Sequence, residues 1–248
     1  MLIAIISDIH GNIDALQAVM KCIQDNGAEM TICLGDIVGY GPSPAECVKV
    51  MRTREIPCVM GNHDEYVSTI MNPAVDKLRE EVRQAIEWTQ AQLSLDDIKW
   101  LSELPMQLEC EGYFQLLHSS YAPKKWAYCL DEKTFAASFL YQPVQLAFCG
   151  HSHSPLIAYD LGPEKDPFVD FIRGKMTIPE DGKVMVNVGS VGQPRDRDPR
   201  ACVVFYELEK RQLWLERVPY NAKLVFAKVL ETKGGLPIRF GERLLEGR

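Results

Sequence analysis

Apolar positions along the chain fall into short blocks of two alternating kinds. Residues 2–7 (LIAIIS), 31–34 (TICL) and 56–60 (IPCVM) are continuous apolar runs of strand length. Between the first two, Ile13, Leu16, Val19, Met20 and Ile23 recur at helical spacing, which predicts a helix over 12–25. A long helix is expected over 74–91. Another is expected from LSLDDIKWLSEL, with Ser94 as its cap. This alternation argues for a mostly parallel sheet covered by helices.

After Pro105 strands dominate. MQLEC and YFQLLH read as a hairpin around Glu111-Gly112. A helix is expected over 131–141. Strands are expected at 145–149 (QLAFC), 155–160 (PLIAYD), 184–188 (VMVNV), 201–208 (ACVVFYEL) and 212–218 (QLWLERV), and a helix from Tyr220 to about Glu231. The stretch Gly162–Gly182 is rich in Pro, Gly and charge and reads as an exposed excursion. No repeat or long linker interrupts the chain, so one domain spanning 1–248 is expected.

Composition narrows the function classes. The chain has 248 residues, is 46% hydrophobic and carries a formal net charge of −7. So acidic a surface argues against stable nucleic-acid binding, but bound cations would still admit a phosphate substrate. The short apolar start lacks a basic flank and runs into Asp8 and His10, so neither a secretory signal nor a membrane span is expected. The eight cysteines form no C-x-x-C pair, and most sit in apolar stretches, which fits buried thiols in a reducing cytoplasm. The oligomeric state is not legible.

The chemistry lies where the strands end. The first three runs end in Asp8-Ile9-His10, Gly35-Asp36 and Gly61-Asn62-His63-Asp64. Later ones end in His118, Gly150-His151-Ser152-His153 and Gly189-Ser190. In α/β sheets the carboxyl ends of strands are where sites assemble. Taken singly, Asp8 or Asp36 reads as a cap or turn residue and His118 as a core histidine. Taken together they differ, because all five histidines of the chain sit at these ends. Asp, Asn and His are ligands for Mn²⁺, Fe²⁺ or Zn²⁺, and two such ions ~3.5–4 Å apart can clamp a phosphate between them.

The blocks D-x-H, G-D, G-N-H-D, a lone H and G-H-x-H occur in that order between residues 8 and 153. In this the chain resembles the calcineurin-like metallophosphoesterase family. The resemblance implies an α/β fold, a four-layer α/β/β/α sandwich, and hydrolysis of phosphate esters through a hydroxide bridging two divalent metals. It implies Asp8, His10, Asp36 and His153 as ligands of one ion and Asp36, Asn62, His118 and His151 as ligands of the other, with Asp36 bridging. Manganese is the first choice of metal, with Fe, Zn, Ni and Mg as alternatives. His63 would face the substrate and Asp64 would orient it; a purely structural role for His63 is the alternative.

Departures from the family pattern bear on substrate. Protein phosphatases of this fold carry G-D-x-V-D-R-G and G-N-H-E, whereas this chain reads GDIVGYG and GNHD. It looks closer to the small bacterial and archaeal phosphodiesterase-like branch. The segment NVGSVGQPRDRDPRA resembles a loop of that branch, which includes dinucleoside polyphosphate hydrolases. A small phosphate ester, nucleotide or dinucleoside polyphosphate is therefore the expected substrate. Gly189, Ser190 and Arg195 are the expected substrate contacts, the alternative for Arg195 and Arg197 being local pairing with Asp196 and Asp198. Tyr40, Tyr121 and Trp126 are placed either against a nucleobase or in a core or surface role. A silent scaffold for protein binding is the competing function, but such degenerate chains lose ligands that are all present here. The H-x-H-x-D-H pattern of the metallo-β-lactamase fold is absent.

Overall fold

The computed structural model describes residues 1–110 and 112–248. Strand β1 (Leu2–Ile6) leads into helix α1 (Ile13–Asp25), whose cap Asn12 accepts a hydrogen bond from Ala15 N at 3.1 Å. Then come β2 (Met30–Cys33), α2 (Pro44–Thr53), α3 (Asn62–Ser68), α4 (Glu80–Gln92) and α5 (Leu95–Ser102). The second half carries β3 (Gln107–Cys110), β4 (Phe114–Leu117), α6 (Glu132–Phe139), β5 (Leu146–Cys149), β6 (Leu156–Asp160), β7 (Phe168–Phe171) and β8 (Met176–Thr177). It closes with β9 (Lys183–Asn187), β10 (Ala201–Glu207), β11 (Gln212–Val218), α7 (Ala222–Glu231) and α8 (Ile238–Glu246).

Among the described residues the strands form two sheets, ordered β2-β1-β10-β11-β8 and β3-β4-β5-β9-β6-β7. Side-chain alternation along β1 shows how they stack. Ile3 and Ile5 point into a core between the sheets, where they join Phe114, Phe148, Val184 and Tyr206. Ala4 and Ile6 point the other way, into a core shared with Leu16 of α1 and Val48 of α2. On the far face of the second sheet, Ala147, Cys149 and Met185 meet Phe135 and Phe139 of α6. Helices, sheet, sheet and helix thus form the four layers that the family resemblance implied.

The sheets are mixed rather than mostly parallel. β1-β2, β4-β5 and β5-β9 are parallel, while β10, β11 and β6 enter antiparallel. The run 56–60 makes only a single bridge, Cys33 to Cys58, because Pro57 has no N–H to extend a ladder. The expected helix over 74–91 is broken at Leu78 and Arg79, which are extended, and Glu80 and Glu81 then open α4. The excursion Gly162–Gly182 is not structureless: β7 pairs with β6, and β8 with β11. β3 and β4 form the expected hairpin; Glu111, at its turn, lies outside the described residues. Among the described residues no disulfide forms, and no helix is long and apolar enough to cross a membrane.

The inter-sheet core is pinned by edge-to-face rings. Phe114 meets Phe148 at 5.3 Å and Tyr206 at 5.7 Å. Phe148→Ala is expected to cost ~3–5 kcal/mol in urea denaturation, and Phe148→Leu less than half of that. Equal losses would mean that the ring itself, rather than the apolar volume it fills, holds the sheets together.

Candidate active site

All five histidines, Asp8, Asp36, Asn62 and Asp64 are buried together at the carboxyl ends of the strands. The backbone is bent sharply to bring them there. Asp8, His10, Asp36, Tyr40, His151 and His153 all have φ between 48° and 67°, the left-handed region that such residues rarely adopt. Cross-strand bonds hold the bends: Asp8 N donates to Gly35 O, His10 N to Asp36 O, and Gly192 N to Asp8 O. Strain concentrated this way marks a functional site. Gly150 is required by close approach, since a Cβ there would lie 2.0 Å from Ser7 Oγ and 2.5 Å from Asp8 Oδ2.

The donor atoms form two groups sharing one residue. Those of Asp8, His10, Asp36 and His153 lie within 4.8 Å of one another, as do those of Asp36, His118 and His151. Asn62 joins the second group, its Oδ1 being 3.2 Å from His118 Nε2. Asp36 Oδ2 lies 3.5 Å from His10 Nε2 and 3.3 Å from His118 Nε2. Its other oxygen accepts the His63 N–H at 2.8 Å. The oxygen common to both groups is therefore Oδ2.

The outer ring nitrogens fix which nitrogen faces inward. His10 Nδ1 contacts Val38 O at 3.1 Å, His118 Nδ1 contacts Leu34 O at 2.7 Å, and His153 Nδ1 contacts Gln193 O at 2.5 Å. For His151 the outer atom is Nε2, 3.1 Å from Trp126 O. A carbonyl only accepts, so each outer nitrogen carries the proton and a neutral ring turns a bare lone pair inward. These lone pairs then face one another: His10 Nε2 and His153 Nε2 are 3.1 Å apart, and His118 Nε2 and His151 Nδ1 are 3.2 Å apart. Asp8 Oδ1, also buried, accepts no hydrogen bond. Converging lone pairs and an orphan carboxylate oxygen fit a divalent cation in each group, with backbone carbonyls orienting the imidazoles.

Charge and burial pull the groups apart. Burial pushes His10 and His153 down, and it pushes His151 down to about 3 with help from His118. At His118 burial also opposes the charge, but the Asp36 carboxylate wins and pushes the pKa up to about 9, so without a cation Nε2 carries a second proton, which a metal ion would have to displace to reach its lone pair. Burial disfavours the Asp36 carboxylate as well, yet His118 and His63 hold it well below the usual carboxylate range.

His63 is buried, with its pKa pushed down to about 4 by burial. Its Nδ1 sits where a side chain on Gly39 would intrude, 2.5 Å from the position of a Cβ. That nitrogen has no hydrogen-bond partner. The ring is held by Tyr40 at 4.3 Å and His10 at 4.9 Å. Asp64 does not orient it, contrary to expectation. The Asp64 carboxylate accepts instead from the backbone N–H groups of Asp36, Ile37, Val38 and Gly61, at 2.8–3.3 Å. It braces the loop that carries Asp36.

Asn62, His63 and His151 open onto a cleft of about 380 Å³ also lined by Tyr40, Trp126 and Arg195. Of the three expected substrate contacts, only Arg195 lines it. Ser190 and Gly189 are buried behind Asp8: Ser190 Oγ donates to Asp8 O and accepts from Gln193 N, and Gly189 N donates to Asn187 Oδ1. Arg195 pairs with neither neighbouring carboxylate, since Asp196 pairs with Arg217 and Asp198 with Arg200; its Nη2 donates instead to Gln193 Oε1 at 2.8 Å. Tyr121 is away from the cleft, donating to Gln115 Oε1 and packing near Phe135.

The pattern of the calcineurin-like phosphoesterase superfamily domain matches residues 1–211. The chain belongs to this superfamily. An uncharacterized protein of Methanocaldococcus jannaschii is 34% identical over 251 residues, covering 100% of this chain and 98% of that one. The crystal structure of a metallophosphoesterase from Sphaerobacter thermophilus superposes with a TM-score of 0.85 at 33% identity, covering 100% and 99% of the two chains. A symmetrical bis(5′-nucleosyl)-tetraphosphatase of Actinobacillus pleuropneumoniae is 28% identical over 125 residues, 48% of this chain and 45% of that one. The donor chemistry and the family together make this a metal-dependent phosphoesterase.

Sequence reading missed the far wall of the phosphoesterase cleft. Tyr66, Arg79, Tyr128, Arg239, Phe240 and Arg243 line it, and none belongs to a motif block. Tyr128 stacks on His151 at 4.0 Å and 12°. The signal for part of this wall was the 3–4 spacing of Phe240, Leu244 and their neighbours in the tail, which marks an amphipathic helix.

Asp64→Asn is expected to lose at least ~2 kcal/mol in urea denaturation, because an amide leaves buried N–H donors unpaired. His63→Gln, which keeps most of the buried volume, should stay within ~1 kcal/mol of the parent. If instead Asp64 served only His63, both variants would have the same small effect on stability.

Proposed function

We propose that the protein hydrolyses small phosphodiesters using two divalent metal ions held side by side. In this reading Asp8, His10, Asp36 and His153 would hold one ion and Asp36, Asn62, His118 and His151 the other, the two donor sets meeting at Asp36 Oδ2. The observation that carries it is the convergence of two buried donor groups on that one oxygen, at the floor of an open cleft. Ions there would supply Lewis-acid chemistry, drawing charge from phosphoryl oxygens and making water acidic enough to attack at neutral pH. Imidazole and carboxylate donors without thiolate suit Mn²⁺, Fe²⁺ or Zn²⁺, with Mn²⁺ first.

The chain's own side chains do the rest. Arg195, its guanidinium 5.8 Å from the Tyr40 ring centre and its Nε unpartnered, would grip the phosphate. His63, braced by Tyr40 and His10, would hold or pass a proton at the leaving oxygen. The partial likeness to a dinucleoside tetraphosphatase supports a nucleotide-bearing substrate.

Purified protein stripped of metal should be inert on bis-p-nitrophenyl phosphate and regain turnover with Mn²⁺. Inertness with every divalent metal and phosphate ester tried would overturn the reading. His63→Ala should keep the parent's metal content while kcat falls by roughly 10²–10⁴. The loss should shrink for good leaving groups such as p-nitrophenolate. Loss of a metal in that variant would make His63 a support of the metal site instead.

A further inference from the structure

The superfamily match ends at residue 211, and α7 and α8 lie beyond it. Helix α8 folds back over the site. Phe240 packs on the Tyr40 ring at 4.7 Å and, with Leu236, against Ala85 and Val229. Gly241 lets the helix press onto α7, since a Cβ there would meet the Phe226 ring at 2.4 Å. With Phe240 and Leu244 buried, Arg239 and Arg243, one turn apart, are left lining the cleft.

The charge in this cleft is opposite to that of the protein as a whole. The chain's net charge is −7, yet Arg79, Arg195, Arg239 and Arg243 all line one pocket and Glu81 is its acidic lining residue. Glu81 is 3.5 Å from Arg239. Among the described residues neither Arg243 nor Arg195 has a carboxylate partner. Burial and the adjacent charges of Arg195 and Arg239 push the Arg243 guanidinium below its ordinary range. Like charges gathered in a half-buried cleft repel unless an anion lies between them.

We propose that Arg239 and Arg243 form a second anion subsite, which selects phosphate esters carrying at least one further phosphate beyond the one cleaved. This rests on the phosphodiesterase reading above. Arg195, beside Tyr40 and His63, takes the phosphate at the metals, and the α8 arginines take the next group along an oligophosphate chain. Guanidinium forks match phosphate oxygens in pairs, so the subsite discriminates by charge and by geometry. The helix that builds it lies beyond the residues the family pattern matches, so specificity and chemistry are supplied by different segments of the chain.

The test is binding of adenosine mono-, di- and triphosphate to metal-loaded protein by calorimetry, beside their inhibition of bis-p-nitrophenyl phosphate hydrolysis. The base is constant and only the phosphate count changes. Affinity should rise at least ~10-fold from mono- to triphosphate in the parent, and this rise should flatten to within ~3-fold in Arg239→Ala/Arg243→Ala. Arg243→Lys should keep part of it, and a single cooperative melt would show that the variants remain folded. A parent with no such rise, or variants that keep it, would overturn the subsite. Calorimetry needs no turnover, so binding that rises as expected without any hydrolysis would count against the phosphodiesterase reading alone.

Discussion

Asp36, itself buried, presents one carboxylate oxygen to two clusters of imidazole nitrogen beneath the cleft, and much of the surrounding backbone is arranged to keep it there. Left to themselves such groups would disperse, since burial of bare lone pairs and a carboxylate is unfavourable without a positive partner. The chain resists this through rigid parts. Carbonyls of Leu34, Val38 and Gln193 hold the rings from behind, and Asp64 ties down the loop by its backbone. The bends at Asp8, His10, His151 and His153 are sustained because the strands entering them are packed on both faces. Fold and site are linked here: the inter-sheet core is what allows strained turns to persist.

The donor set was legible in the sequence because it is carried by short motifs at the ends of apolar runs. Asp8, His10, Asp36, Asn62, His118, His151 and His153 each follow a strand or strand-like run within a few residues, and the structure gathers all of them. Roles that depend on three-dimensional partners were less legible. Asp64 sits next to His63 in sequence, but the first turn of α3 points its carboxylate back at the Asp36 loop. Ser190 follows a strand end too, yet its hydroxyl is consumed by Asp8 O and Gln193 N. Sheet direction failed for a similar reason: β10 and β6 are apolar runs like the parallel strands, and nothing in a buried run states its direction.

The C-terminal helix changes how the cleft is understood. The family domain supplies the metal donors and His63, and α8 supplies a cationic wall latched on through Phe240 and Tyr40. Tyr40 occupies a place where the protein phosphatases of this fold have a different sequence, and here its ring touches His10, His63 and Phe240. One aromatic side chain thereby joins the histidine cluster to the proposed specificity wall. A substitution at either end of this stack would be felt at the other.

Two cations meeting at Asp36 Oδ2 would satisfy both donor clusters at once. Anomalous diffraction from crystals grown with Mn²⁺, collected on either side of the metal's absorption edge, tests this arrangement most directly. Two peaks are expected ~3.5–4 Å apart, both within bonding distance of that oxygen. One peak would lie among Asp8, His10 and His153, and the other among Asn62, His118 and His151. A single peak, or a pair lying away from Asp36, would contradict it.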